Sequence, residues 1–409
     1  MKVIVATYGT EGDARPFAAL CRGLIDAGHE ARLLADAGTL GGAEALGVPA
    51  SALAGDIRGA LASRRAVAGV VAKGGGFNAT TRALAAIAND NAESWLRAIV
   101  EAGDGCDVVV AAGLSAFAAF SAAERLGVKS VGAGMIPITP TAAFPSPFLP
   151  PGLVPRFLNR SSHAFVNAML WRAFRDRTNA AREMFRLPPR KTVWTDLPML
   201  YGVSPALMPA PADWPANVRL CGQWLSRSAA WTPPAALSAF LAAGEAPVYI
   251  GFGSMTGFDE ARLLDALVKA MAGRRALFHP GWSGVDPKAL PGNVFVVGDT
   301  PHAWLLPRAA AVVHHGGSGT SHSAARAGAP SVVTPFAGDQ FFWAERLRLA
   351  GVAPAAVNGR RPKAEAFARA LDFAASAPAR DRARALGERM RAEDGVADAV
   401  AALERIVAG

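Results

Sequence analysis

The hydrophobic residues in the first part of the chain follow two alternating patterns. Short apolar runs at residues 3–7, 29–35 and 108–112 predict buried β-strands. Between and after these runs, residues 16–27 and 115–126 carry apolar side chains at helical spacing. Strands that alternate with helices are typical of βαβ units, so this pattern predicts a parallel sheet.

The same alternation resumes in the second half of the chain. Residues 204–234 concentrate proline, which resists regular structure and is typical of a connector. Beyond the connector, strands are predicted at residues 248–252, 276–279, 294–297, 311–314 and 331–334, and helices at 260–271, 304–306, 321–327 and 341–350. We therefore predict two tandem, doubly wound α/β domains. The predicted segments are an N-terminal domain at 1–210, a linker at 211–235, a C-terminal domain at 236–385 and a last helical segment at 386–409.

Composition agrees with a folded chain of this size. The 409 residues are 51% hydrophobic and 18% charged, so there is enough apolar volume for domain cores. The 42 Lys and Arg residues exceed the 33 Asp and Glu residues, and the resulting net charge of +9 favours anionic partners. The basic residues are scattered rather than grouped along one run, which argues against nucleic acid as the partner.

The cysteines and the apolar stretches bear on the compartment. Cys21, Cys106 and Cys221 are too far apart to indicate a disulfide framework or a metal knuckle. Each apolar stretch is interrupted well short of the ~20 residues that a membrane-spanning helix needs. We expect a cytoplasmic protein, and the sequence leaves a peripheral membrane contact and the oligomeric state open.

The first strand-to-helix junction carries a candidate catalytic carboxylate. In doubly wound sheets, ligands bind beyond the carboxyl ends of the strands. Here Gly9 and Gly12 are followed by Asp13 and Pro16, without the G-x-G-x-x-G pattern of a dinucleotide site, which disfavours a nicotinamide enzyme. Asp13 fits two roles, an N-cap of the helix and a functional group in a cleft.

A glycine-rich junction in the second half is suited to bind a diphosphate. His314 and His315 lead through glycines into a helix, whose N-terminus adds roughly half a positive charge, and Ser318 and Thr320 offer hydroxyl groups. The lysine of an ATPase loop is missing, so no obligatory magnesium is indicated. A zinc site of His314, His315 and His322 is an alternative, although carboxylate or thiolate partners are missing nearby.

A third junction follows the next strand. Asp339 and Gln340 stand side by side and together offer several hydrogen-bond acceptors and two donors, a suitable set for neighbouring sugar hydroxyls. The alternative is that Asp339 is an N-cap and that the aromatic residues after it pack in the core.

Taken together, these junctions resemble the inverting glycosyltransferases of the two-domain GT-B type, in particular bacterial natural-product glycosyltransferases and sterol 3-β-glucosyltransferases. The segments that carry the resemblance are GTEGD at 9–13 with Pro16, GFGSM at 251–255, PHAWL at 301–305, HHGGSGT at 314–320 and GDQFFW at 338–343. The resemblance implies two Rossmann-like domains with a cleft between them, and a last helix, within 386–409, that crosses back onto the N-terminal domain.

The resemblance also implies roles for individual residues. It implies Asp13 as the general base, at a position where many plant relatives carry histidine. It implies Asp339 and Gln340 as ligands of the sugar hydroxyls. The residues implied around the donor diphosphate are Ser254, His315, Gly317, Ser318, Gly319 and Thr320, and those implied around the uracil are Trp282, Pro301 and His302.

The sequence-based hypothesis is the transfer of a glucose-type sugar from a UDP-sugar to a hydroxyl of a small lipophilic acceptor. Sterols, polyketides, terpenoids and phenolics all stay open, with Phe144, Phe148 and Trp171 as acceptor-lining candidates that core packing explains equally well. We expect no cofactor besides the UDP-sugar and no metal, because no Asp-x-Asp motif occurs. The alternatives are a UDP-sugar epimerase of the same architecture and a catalytically silent nucleotide-sugar-binding protein.

Overall fold

The N-terminal part of the computed structural model is a parallel sheet with helices on both faces. The model describes residues 1–60, 84–226, 231–253, 259–281 and 290–409. The elements of the first domain are β1 (Lys2–Ala6), α1 (Glu11–Asp26), β2 (Glu30–Asp36), α2 (Gly41–Glu44), β3 (Ala50–Leu53), α3 (Ala92–Ala102), β4 (Val108–Ala111), α4 (Ala116–Leu126), β5 (Lys129–Gly134), α5 (Asn159–Met184), β6 (Met199–Tyr201) and β7 (Val218–Leu220). Its seven strands lie in the order β3-β2-β1-β4-β5-β6-β7.

The second domain repeats this design with a smaller sheet. Its elements are α6 (Ala235–Ala242), β8 (Val248–Gly251), α7 (Glu260–Met271), β9 (Ala276–His279), β10 (Val294–Val296), α8 (His302–Leu305), β11 (Ala311–His314), α9 (Ser318–Ala327), β12 (Ser331–Val333), α10 (Gln340–Leu349) and α11 (Ala364–Ala375). The five strands lie in the order β10-β9-β8-β11-β12 and pair in parallel. The predicted α/β class with two doubly wound domains is confirmed.

Both sheets are buried on both faces, as near-continuous apolar strands predict. In β1, Val3 and Val5 face the core that α1 covers, whereas Ile4 and Ala6 face the opposite core, which contains residues of α3 and α4. Successive side chains of a strand point to opposite faces, so one apolar strand contributes to two cores.

The boundary between the domains differs from the sequence-based prediction. β7 lies inside the range 211–235 that we assigned to the linker, and it pairs with β6 through Met199 opposite Val218. The first domain therefore extends past residue 210. A strand of three residues that contains the exposed Arg219 and follows a proline-rich segment gives no periodic signal.

The last part of the chain returns to the first domain. After α12 (Ala377–Arg391), helix α13 (Gly395–Ala408) packs on α1, and the buried Ala399 and Leu403 belong to the same core cluster as Leu20 and Leu24. The segment 386–409 is therefore the end of one helix followed by a second helix, rather than a single helix.

Two glycines allow α13 to begin at this place. A Cβ atom at Gly395 would lie 2.5 Å from the carbonyl carbon of Gly222 and 2.6 Å from the backbone oxygen of Gln223. Gly222 itself has a φ of +84°, a conformation that glycine adopts readily and most residues avoid. The backbones of residues 222 and 395 therefore touch where the first sheet ends and the last helix starts.

We expect Gly395→Val to destabilise the protein. Backbone atoms cannot yield to the added side chain, so the substitution should lower the free energy of unfolding by about 1–3 kcal/mol. Differential scanning calorimetry measures the effect as a lower Tm. Gly41→Ala is the matched control because a Cβ atom there meets nothing within 4 Å. Equal Tm values for Gly395→Val and wild type would show that this contact is not tight.

Candidate active site

Asp13 is positioned by the first turn of α1. The N-cap of this helix is Thr10, and Asp13 is the third helical residue of a capping box. The backbone N–H of Thr10 donates to Asp13 Oδ2 over 2.8 Å, and Thr10 Oγ1 lies 3.2 Å from the same oxygen. Asp13 therefore does stabilise the start of the helix, but as a member of the capping box rather than as the N-cap that we considered.

The environment of Asp13 changes its acidity. The carboxyl group lies at the carboxyl end of the first sheet, directly after β1, and is partly buried. Burial raises the pKa of Asp13, against the effect of the two hydrogen bonds from Thr10, which lower it. A carboxylate with a raised pKa is a stronger base than a free aspartate.

The two adjacent histidines at the end of β11 have different environments. His314 is fully buried, and its Nδ1 accepts a hydrogen bond from the backbone N–H of Gly316 over 3.1 Å. His315 is partly buried, and its ring lies against Gly253 and Gly317, where Cβ atoms would collide with it. Burial lowers the pKa of His314 to about 3 and that of His315 to about 4, so both imidazoles are neutral at pH 7.

The glycine-rich turn exposes the N-terminus of α9. Its N-cap is Gly317, which has no side chain to cap the helix, and Gly319 is exposed with nothing within 4 Å of a built Cβ atom. Gly316 has a φ of +92° and fits between β12 and α10, where a Cβ atom would lie 2.8 Å from Val333. The first amide groups of α9 have no intrahelical acceptor, which is the arrangement that binds anions.

The Ser318 side chain makes a contact between the two domains that the sequence analysis did not predict. Its Oγ donates a hydrogen bond to the carbonyl oxygen of Met135 over 3.0 Å. The hydroxyl group therefore links the first turn of α9 to the first domain, and its assignment to the diphosphate stays a prediction. Thr320, in the same helical turn, is partly exposed and lies beside the first amide groups of the helix. The sequence could not show the Ser318 contact because it joins residues that are far apart in the chain.

The predicted nucleobase residues are only partly covered by the structure. Pro301 is the N-cap of α8 and His302 is its first residue, with Nε2 3.5 Å from Tyr249 Oη. The pKa of His302 is lowered to about 4, chiefly by burial and to a smaller extent by the charges of His279 and Arg15, against the charge of Asp299, which raises it. Ser254 and Trp282 lie outside the described residues.

Asp339 and Gln340 occupy the start of α10. Asp339 stands at the N-cap position but does not cap the helix; instead its Oδ2 accepts a hydrogen bond from Trp343 Nε1 over 2.9 Å. Gln340 is buried, and its Oε1 accepts hydrogen bonds from the backbone N–H groups of Phe336 at 2.8 Å and Ala337 at 3.1 Å. The Gln340 carbonyl therefore holds the loop in shape, whereas the Asp339 carboxyl is not used for capping.

The cleft brings the two candidate carboxyl groups together. Burial raises the pKa of Asp339 to about 7, the bond from Trp343 opposes this increase, and the charge of Asp13 adds to it. Asp13 lies in the first turn of α1 and Asp339 at the start of α10, and the contacts of Arg15 with Asp299 and of Ser318 with Met135 join these sides of the two domains. Arg15, which the sequence analysis missed, also faces this cleft, with Nη2 3.8 Å from Asp299 of the second domain.

Two of the three candidate acceptor-lining residues are packed inside the protein. Phe144 is 3% exposed and lies against Phe342, with ring centroids 5.2 Å apart. Trp171 is 6% exposed, and its Nε1 donates to the carbonyl oxygen of Lys191 over 3.0 Å. For these two residues the structure corrects the acceptor-lining interpretation to core packing. Phe148 is partly buried.

Neither a metal cluster nor a membrane span is seen in the part of the chain that the structure describes. No group of three or more His, Cys, Asp or Glu side chains there is arranged to hold a metal ion. His322, a member of the alternative zinc set, is instead hydrogen bonded at both ring nitrogens. No helix within the described residues is both long and apolar enough to cross a membrane.

Two Rossmann-like domains in tandem are the architecture of the GT-B glycosyltransferases. A solved structure of the glycosyltransferase of kitacinnamycin shares this fold, with a TM-score of 0.73 and 21% sequence identity over 99% of this chain and 98% of that one. The family model described as "Erythromycin biosynthesis protein CIII-like, C-terminal domain" matches residues 263–406.

The alignments with curated relatives extend over 99% of this chain. O-mycaminosyltylonolide 6-deoxyallosyltransferase of Streptomyces fradiae is 34% identical over 420 residues, with 99% of this chain and 97% of the relative covered. The sterol 3-beta-glucosyltransferase of Neurospora crassa is 31% identical over 99% of this chain, which spans only 27% of that relative's length. The chain therefore belongs to the family of glycosyltransferases that includes these macrolide and sterol enzymes.

We expect Asp339→Asn to change how thermal stability depends on pH. The folded protein keeps the Asp339 proton up to about pH 7, whereas the unfolded chain releases it near the ordinary pKa of 3.8. Because the folded state then binds the extra proton, the wild type loses stability as the pH rises through this window. The asparagine variant carries no such proton and should gain in Tm relative to the wild type over the same window.

Calorimetry across this pH range tests the expectation, and Asp90→Asn, at an exposed position of the first domain, is the control. Curves of Tm against pH that run parallel for wild type and Asp339→Asn would contradict a raised pKa at Asp339.

Proposed function

We propose that this protein is an inverting glycosyltransferase that moves a hexose from a nucleoside diphosphate sugar to a hydroxyl of a small lipophilic acceptor. The observation that carries the proposal is the cleft itself, where Arg15, two residues after Asp13, approaches Asp299 of the second domain, while the loop that ends in Gln340 packs against Gly316 of the α9 turn. A base and an anion-binding helix on opposite sides of a cleft are the parts that such a transfer needs.

In this proposal the second domain binds the leaving diphosphate. The amide groups at the N-terminus of α9 would donate to the phosphate oxygens, together with the His315 ring. His315 Nδ1 is buried and has no hydrogen-bond partner among the described residues, which leaves it available for a ligand. With a pKa lowered to about 4, His315 acts as a neutral hydrogen-bond donor and not as a cation. The proposal assigns no metal to this step.

Asp13 would serve as the general base. As the acceptor oxygen forms a bond to the anomeric carbon, its proton passes to the Asp13 carboxylate, and the bond from that carbon to the diphosphate oxygen breaks. Attack from the side opposite the diphosphate inverts the configuration. A carboxylate remains a weak base toward an alcohol, so we place proton transfer late in a concerted step.

For the sugar we propose contact with the Asp339 carboxyl group and with the Gln340 side chain. The relatives described above include a 6-deoxyallosyltransferase and a glucosyltransferase, so the donor panel must contain deoxysugars as well as glucose. The same names give a macrolide and a sterol as acceptors, which supports a lipophilic alcohol. UDP and TDP are both candidates for the nucleotide.

We expect Asp13→Asn to abolish transfer while the fold is kept. The asparagine amide oxygen can still accept the hydrogen bond from Thr10, so helix α1 keeps its capping contact, but no base remains. Transfer should fall by about 100-fold or more, while the Kd of UDP changes by less than about twofold. Mass spectrometry of incubations with UDP- and TDP-sugars and a mixed set of lipophilic alcohols measures transfer, and calorimetry measures UDP binding.

Asp26→Asn is the matched control, because Asp26 is an exposed acid at the far end of α1 that pairs with Arg22 of the same helix. It should leave transfer unchanged. A parallel incubation without acceptor separates transfer from epimerisation or hydrolysis of the donor. Full turnover by Asp13→Asn would disprove the assignment of the base.

We expect His315→Ala to weaken UDP binding by roughly tenfold, because a buried hydrogen bond to a charged phosphate is lost. Titration calorimetry measures the Kd directly. His29→Ala is the control, since His29 lies at the outer edge of the first domain, with Nε2 2.9 Å from Glu404. An unchanged Kd for His315→Ala would count against the diphosphate site.

A further inference from the structure

His322 joins the two domains beneath the candidate diphosphate site. It lies in the second turn of α9, is 1% exposed, and packs edge-on against Trp343 with ring centroids 4.8 Å apart. Its Nε2 is 3.2 Å from the backbone nitrogen of Ser204 in the first domain, and its Nδ1 is 2.8 Å from the carbonyl oxygen of Ser318. The ring therefore contacts the first domain on one side and the first turn of α9 on the other.

These two partners fix the state of the ring. A backbone N–H can only donate, so Nε2 must be an unprotonated acceptor toward Ser204. A carbonyl oxygen can only accept, so Nδ1 must carry the proton that it donates to Ser318. A single neutral tautomer satisfies both bonds, and burial, which lowers the pKa of His322 to about 4, keeps the ring neutral at pH 7.

The hydrogen bonds of His322 connect to the first turn of α9, the turn that would bind the diphosphate. Ser318 is the first residue of α9, and its Oγ also contacts Met135 of the first domain. One turn further along, Ser323 accepts a hydrogen bond from Gln223 Nε2 over 3.3 Å. Of the three side chains, His322 is the one that is hydrogen bonded both to the first domain, at Ser204, and to the backbone of the first turn of α9, at Ser318.

We propose that His322 is a positioning residue. It holds the N-terminus of α9, and with it the donor sugar, in the position relative to Asp13 of the other domain that the transfer needs. The inference rests on the proposed function. A shift of the α9 turn relative to the first domain would move the anomeric carbon away from the acceptor oxygen without removing any group that binds the nucleotide. Misplacement of about 1 Å lowers a reaction rate by orders of magnitude.

Two conservative variants separate the two bonds. In His322→Asn the side-chain amide lies near the former Nδ1 and can donate to Ser318, but it is too short to reach Ser204. In His322→Gln the amide oxygen lies near the former Nε2 and can accept from Ser204. We expect His322→Asn to lower kcat roughly tenfold with the Kd of UDP changed by less than about twofold, and His322→Gln to restore kcat to within about threefold of the wild type.

A second measurement does not depend on activity. The cysteines in the described structure are buried, so spin labels on Glu44→Cys in the first domain and Glu365→Cys in the second are selective. Electron–electron double resonance should give a narrow distance distribution for wild type and His322→Gln, and a broader or shifted one for His322→Asn.

The outcomes distinguish this inference from the proposed function. If no donor and acceptor pair gives transfer in the wild type, the proposed function fails, while the distance distributions still test His322. A distribution for His322→Asn as narrow as that of the wild type would overturn the inference. Equal losses of kcat in both variants, in proportion to lost UDP affinity or Tm, would also overturn it, because they would indicate a structural role only.

Discussion

The free amide groups at the start of α9 are the feature on which the rest of the site depends. A glycine at the N-cap leaves them without a side-chain acceptor, so the helix end keeps unsatisfied donors and the positive end of its dipole. Such an end is useful only if it stays in place, and the structure anchors it from the other domain through Met135 and Ser204. The anion-binding part of the second domain is thus built with contributions from the first.

Burial determines the electrostatic character of the cleft. His302, His314, His315 and His322 all have pKa values lowered to about 3 or 4, so at neutral pH they are uncharged rings that offer one hydrogen-bond donor and one acceptor each. The backbone dipole at the start of α9 supplies a positive potential that does not titrate, and Arg15 adds a positive charge from the first domain. The acidic side of the cleft has the opposite tendency, because burial there favours protonated carboxyl groups.

The sequence predicted the parallel strands and the junctions well, because apolar runs and glycine spacing are local signals. It placed Asp13, His315 and Asp339 at strand ends, and the topology brings these ends to one cleft. It failed where the deciding contact lies between distant residues. Ser318 is hydrogen bonded to Met135, and Trp171 packs against Phe117 and Trp194. The spacing of residues along the sequence indicates neither contact. The short strand β7 was missed because three residues carry no period.

The return of α13 to the first domain has a consequence for how the molecule can be taken apart. The apolar side of this helix, including Ala399 and Leu403, completes a core whose other members come from the first domain, between Val3 and Trp224. If the chain were divided at the proline-rich segment, the first fragment would expose the apolar groove that α13 fills. The second fragment would carry α13 without its packing partner. The first lobe therefore depends for part of its core on a helix that follows the whole second lobe in the chain.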